Sequence, residues 1–85
     1  MKLFLPNRFI GLVIGRNGNI VREIQTTHKV YVETPKYDVR QFFRVYGIRT
    51  DIIAAVEAIQ RMLHAKTMIE LSIFYRNQDE VHLLE

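Results

Sequence analysis

The chain has 85 residues, 48% apolar and 25% charged, the balance of an ordinary soluble globular protein of one small domain. It contains no cysteine, which excludes a disulfide framework, a thiolate metal site and a thiol nucleophile. The net charge of +3 is uneven: residues 1–66 carry eleven Lys/Arg against five Asp/Glu, net +6, and residues 67–85 carry one Arg against four acids, net −3. A basic body suits a polyanionic partner, because neutralised phosphates release counterions.

Lys2-Leu3-Phe4-Leu5 reads as a short strand stopped by Pro6 and Asn7. The stretch is too short and too soon interrupted for a secretory signal, and the later apolar runs are broken by charge, so no membrane span is expected. A cytoplasmic or nuclear address is the default, with Met1 equally able to begin a piece of a longer chain. From Arg8 to Ile14 the apolar residues are too dense to alternate and suggest a short buried helix, broken by Gly15-Arg16-Asn17-Gly18. Val21 and Ile24 then recur at helical spacing, with Arg22, Glu23 and Gln25 on the other face. This second helix is expected to end among Thr26, Thr27 and His28.

Val30-Tyr31-Val32 and Gln41-Phe42-Phe43-Arg44-Val45-Tyr46 are rich in β-formers and read as two antiparallel strands joined by a polar loop. Thr50 is placed to cap the next helix, with Asp51 favourable at its positive end. Ile52, Ile53, Val56, Ile59, Met62 and Leu63 form one apolar stripe along that helix, and Glu57 and Arg61 pair on its outer face. In the tail, Ile69, Leu71, Ile73 and Tyr75 alternate with Glu70, Ser72, Phe74 and Arg76, which predicts a strand. That strand is expected to pair with a sheet edge, in its own chain or across a dimer, while Val81 to Glu85 reads as a last helical turn. Residues 1–66 thus form the domain, and 67–85 form a C-terminal extension with an edge strand and a short end segment.

The chemistry concentrates in Gly11-Leu12-Val13-Ile14-Gly15-Arg16-Asn17-Gly18-x-x-Val21-x-x-Ile24. Two short helices meet at a Gly-x-x-Gly turn. Glycines there let a sugar-phosphate backbone approach, the amides at the start of the second helix point outward, and Arg16 adds a full positive charge. A bare Gly-x-x-Gly usually marks only a turn. Its weight comes from the order of elements around it: strand, helix, turn, helix, two strands, long helix.

That order, with these residues, resembles the type I KH family over about Lys2 to Ala65. Leu5-Pro6-Asn7-Arg8-Phe9-Ile10-Gly11-Leu12-Val13-Ile14-Gly15, together with Gln25, Tyr31, Thr34-Pro35 and Val45-x-Gly47, looks most like the second KH domain of the muscle-excess group of RNA-binding translational regulators. The resemblance implies an α+β fold of the βααββα type, a three-stranded antiparallel sheet with three helices on one face, plus the C-terminal extension. It also implies a groove for about four nucleotides of single-stranded RNA, or single-stranded DNA. On this resemblance Gly15, Arg16, Asn17 and Gly18 contact the backbone of the strand. Gly11, Val13, Ile14, Val21 and Ile24 line or support the groove, and the backbone of Val32 pairs with a base edge. Arg40 and Arg44 are assigned to the far rim from charge and location. His28 departs from the family's usual threonine at the end of the second helix.

Plain core packing is the bland reading of Val13, Ile14, Val21 and Ile24, and a solvated basic surface that of Lys29, Lys36, Arg40 and Arg44. The aromatics Tyr31, Phe42, Phe43 and Tyr46 are expected to serve structure, beneath the helices or on the back of the sheet. His28, His64 and His82 lack metal-ligand spacing. Ser72, the only serine, lacks the turn of a nucleophile elbow, and the Gly-x-x-Gly lacks the Lys-Ser/Thr of a nucleotide-binding loop. Neither an enzyme nor a cofactor is expected. The rival reading is an interaction module that dimerises, or meets neighbouring domains, through a sheet edge, the third helix or the tail.

Overall fold

A computed structural model of the chain describes residues 1–36 and 42–85. Strand β1 (Lys2–Phe4) ends before Pro6, which opens a 3-10 turn closed by the Phe9 N–H on the Pro6 carbonyl at 2.9 Å. Phe9 and Val13, both essentially unexposed, pin this turn and helix α1 (Ile10–Ile14) to the core. Helix α2 (Asn19–His28) buries Val21 and Ile24 and ends on Lys29, a left-handed residue whose N–H bonds to the Gln25 carbonyl. Strands β2 (Tyr31–Glu33) and β3 (Phe42–Tyr46) follow, and then helix α3 (Arg49–Thr67).

Helix α3 buries Ile52, Ala55, Val56, Ile59 and Leu63, the stripe its periodicity predicts. Its start differs from expectation. The cap is Ile48, with no side-chain cap bond, and Thr50 lies inside the first turn. The first helical bond already runs from the Ile52 N–H to the Ile48 carbonyl, so the helix begins two residues too early for Thr50 to cap it.

The sheet has five strands in the order β2-β3-β1-β5-β4. Its first three are the antiparallel set that the βααββα order implies, with Leu3 opposite Phe43 and Val32 opposite Val45. The tail supplies the other two, β4 (Ser72–Asn77) and β5 (Glu80–Leu84), as an antiparallel hairpin. Its turn is closed by the Asp79 N–H on Asn77 Oδ1 at 2.7 Å. The last segment is therefore a strand and not a helical turn: Val81 and Leu83 are fully buried, and Glu80, His82 and Leu84 face the other way. It is β5, running parallel to β1 with Leu3 beside Val81, that takes the sheet edge. β4, where the tail's strand was expected, pairs only with β5 and lies outermost.

All three helices lie over one face of the sheet, and a single core joins both parts of the chain: Leu71, Val81 and Leu83 from the tail pack in one cluster with Leu3, Phe43 and Leu63. Gln60 on α3 donates to the Leu71 carbonyl at 2.5 Å, tying the helix to the approach to β4. On the uncovered face an aromatic row crosses four strands. Phe42 lies opposite Phe4, Phe4 stacks on His82 at 4.5 Å, and His82 lies opposite Phe74.

The two faces of β5 predict opposite responses. Leu83→Ala empties a fully buried position and should cost about 2–5 kcal/mol. Leu84→Ala, on the uncovered face, should cost about 0.5 kcal/mol or less. Urea unfolding measures both; equal small effects would mean that the hairpin is not part of the cooperative core.

Candidate nucleic-acid interface

The chain reverses between α1 and α2 within four residues. Gly15 has φ +77°, Asn17 is left-handed at φ +55°, and Gly18 has φ +74°. The Gly18 N–H closes the turn on the Gly15 carbonyl at 3.2 Å. A Cβ on Gly15 would sit 2.3 Å from both Asn19 Oδ1 and Ile20 Cγ1, so packing and backbone conformation alike demand glycine there. Arg16 and Asn17 are carried outward at the tip, both exposed.

Three features make this tip receptive to an anion. Helix α2 has no side-chain cap and no acid in its first turn, so nothing negative offsets the positive end of the helix, although the Gly18 and Asn19 N–H groups there already donate to the Gly15 and Arg16 carbonyls. Arg16 stands at the tip itself. Arg22 reaches back from α2 and donates to the Asn17 carbonyl at 2.7 Å, bringing a second guanidinium to the turn. Arg22 is not among the residues the motif singles out. Its spacing of four from Gly18, one helical turn, is the signal that places it there.

Gly11 differs from Gly15. It is exposed inside α1, and a Cβ added to it would meet nothing within 4 Å. Neither packing nor conformation asks for glycine, although glycine in a helix costs about 0.5–1 kcal/mol relative to alanine. Gly11 and the half-buried Ile14, three residues apart, share the face of α1 that stays open. Val13, Val21, Ile24 and Val32 lie with their side chains in the core, 0–8% exposed, and so support the site from behind.

The opposite wall is β2. The Val32 N–H donates to Gln25 Oε1 at 2.8 Å, a bond that spans from α2 to the strand. A base edge arriving at the Val32 backbone would displace that carboxamide. Of the two candidates for the far rim, Arg40 falls outside the described residues. Arg44, expected on the far rim, points to the uncovered face of the sheet, because its neighbours Phe43 and Val45 are the fully buried ones. Among the described residues, no helix is long and apolar enough to cross a membrane, and no group of three or more His, Asp or Glu could hold a metal ion.

Comparison with known proteins gives three findings. Residues 1–61 match the family model described as the KH domain. Over 70 residues the chain is 33% identical to the RNA-binding protein MEX3B of Mus musculus, covering 80% of this chain and 12% of that protein. Over 63 residues it is 32% identical to the RNA-binding E3 ubiquitin-protein ligase MEX3C of Homo sapiens, covering 74% of this chain and 10% of that protein. The chain thus spans about a tenth of the length of these relatives. Its fold is similar to the solution structure of the 13th KH type I domain of human vigilin, with a TM-score of 0.68 and 22% identity over 85% of this chain and 79% of that one.

The bare surface at Gly11 is open to test. Gly11→Leu should leave the fold intact, and slightly more resistant to heat, because the helix gains a better former and the side chain meets no neighbour. Affinity for single-stranded nucleic acid should fall by more than about tenfold, equivalent to about 1.4 kcal/mol. Fluorescence anisotropy beside thermal melting would decide: unchanged binding by a folded variant removes Gly11 from the site.

Proposed function

Because the chain belongs to the KH domain family, we propose that it is a module that binds single-stranded RNA, holding about four nucleotides between the Gly15–Gly18 turn and strand β2. The observation that carries this reading is the turn itself. Two positive-φ glycines present Arg16, Asn17 and the uncapped start of α2 to solvent, with Arg22 bonded behind them. In this reading the turn holds the phosphates, Gly11 and Ile14 form the floor under the bases, and the backbone of Val32 reads a base edge.

The two MEX3 relatives carry RNA binding in their names, which supports RNA over single-stranded DNA as the partner. Their likeness, with Leu5-Pro6-Asn7-Arg8 leading into α1, supports placement near the second KH domain of that group. A role in post-transcriptional or translational regulation in the cytoplasm follows as part of the proposal. The ligase activity in the name of MEX3C is said of that protein, of which the matched stretch is a tenth, and does not carry over. A second reading, dimerisation through the sheet edge, is favoured by one observation: β4 is outermost, with Phe74 and Tyr75 53% and 42% exposed.

Replacing both Arg16 and Asn17 by Asp sets two carboxylates against a phosphate. It should abolish RNA binding while circular dichroism shows an unchanged fold, since both side chains are exposed. A folded double mutant that binds like the parent would refute the clamp.

Salt gives an independent check. With about three phosphates neutralised at ~0.7 each, affinity should drop roughly 20-fold between 50 and 200 mM salt, and single strands should bind in preference to duplex. A flat salt profile or a duplex preference contradicts the reading.

A further inference from the structure

Strand alternation leaves one face of the sheet uncovered by any helix, and its β2–β3 end carries two exposed tyrosines. Tyr31 lies opposite Tyr46, their ring centroids 5.9 Å apart, and the two residues are 59% and 44% exposed. Beside them, Arg44 on β3 directly opposes Lys2 on β1. Two like charges in register destabilise a sheet. Neither forms an ion pair among the described residues. Both lie instead over the Phe42 ring, 5.4 Å from its centroid for Lys2 and 5.6 Å for Arg44, and Arg44 Nε is buried with no hydrogen-bond partner. The acids of the same row are Glu33, opposite Arg44, and Glu80, beside Lys2. Glu80 is turned to His82 at 3.3 Å.

This patch adjoins the candidate groove through a shared strand. Val32, whose N–H meets Gln25 at the groove, is the residue next to Tyr31, so β2 has the groove along its edge and the tyrosine on its outer face. We propose that a single strand too long for the groove continues over the β2 edge onto this face, stacking bases on Tyr31 and Tyr46 and placing phosphate at Arg44 and Lys2. The inference rests on the groove being an RNA site and adds a second subsite to it. Ring faces accept any base, and the paired cations, costly in the free protein, are what a polyanion neutralises. An apolar protein surface would cover the tyrosines equally well but would bury two opposed cations without adding an anion to meet their charge.

The test uses randomised single-stranded RNA pools about four and about ten nucleotides long, followed by amide NMR titration. The short pool should perturb the turn and Val32. The long pool should bind more tightly and perturb Tyr31, Arg44 and Tyr46 as well. The double variant Tyr31→Ser/Tyr46→Ser should weaken the long pool by about tenfold or more and leave the short pool unchanged. Arg44→Gln, which removes the like-charge opposition and so keeps the fold, should weaken the long pool in the same direction. If the long pool binds no more tightly than the short one, or the variants alter neither, the second subsite is refuted while the groove stands. If neither pool binds, the groove reading fails and the subsite falls with it. A tyrosine variant that changes the mass measured by light scattering, with RNA affinity intact, would make the face a protein interface and overturn the proposal.

Discussion

The reversal at Gly15 sets the geometry that the site depends on. A side chain there would collide with Asn19 and Ile20 at 2.3 Å, so the chain can leave α1 and start α2 at this angle only with glycine. The angle has three results. It sets the exposed Arg16 and Asn17 at the positive end of α2, it drops Val21 and Ile24 into the core, and it brings Gln25 within 2.8 Å of the Val32 backbone. The same four residues therefore build the anion-receptive tip and fix the distance between the two walls. Strain is modest, because two of the three positive-φ positions at the turn are glycines and the third is asparagine, a residue that tolerates the left-handed region.

Core and groove share residues, and the division of labour is by atom. Val32 gives its side chain to the core and its N–H to the Gln25 carboxamide. Val13 gives its side chain to the core, while Gly11 and Ile14 on the same helix face the open surface. Helix α1 is only five residues long and could not hold its place by propensity alone. Burial of Phe9 and Val13 holds it there, beneath the surface that Gly11 and Ile14 leave open.

The residues announce most of the core of this fold. Helix α3 has a stripe long enough to define itself, and the three strands of the first part are short runs of β-formers between clear breaks. The turn is legible because its glycines and its place between two helices occur together. The last strand was not legible: Val81-His82-Leu83 offers only one and a half periods, too few to separate strand from helix, and its pairing with β1 joins residues about eighty apart. The helix start is not legible because Thr50-Asp51 looks like a cap while the backbone bond from Ile52 to Ile48 decides the matter. Arg44 could be placed near the loop from sequence, but its face of the sheet follows from the registers of β3 with β1 and β2, which no local pattern shows.

The parallel pairing of β1 with β5 has a mechanical consequence. The chain enters the sheet at Lys2, leaves it at Leu84, and the two strands run side by side in the same direction. Tension drawn through these two ends pulls adjacent strands in opposite senses along their length. The hydrogen bonds between them are then loaded together, in shear, and do not open one after another as in a peeled hairpin. Resistance to such a pull is a matter of unfolding rate and not of equilibrium stability. The outer hairpin, whose β4 contributes little to the core, thus makes the first strand one of a pair that must slide before the groove can be torn from its support.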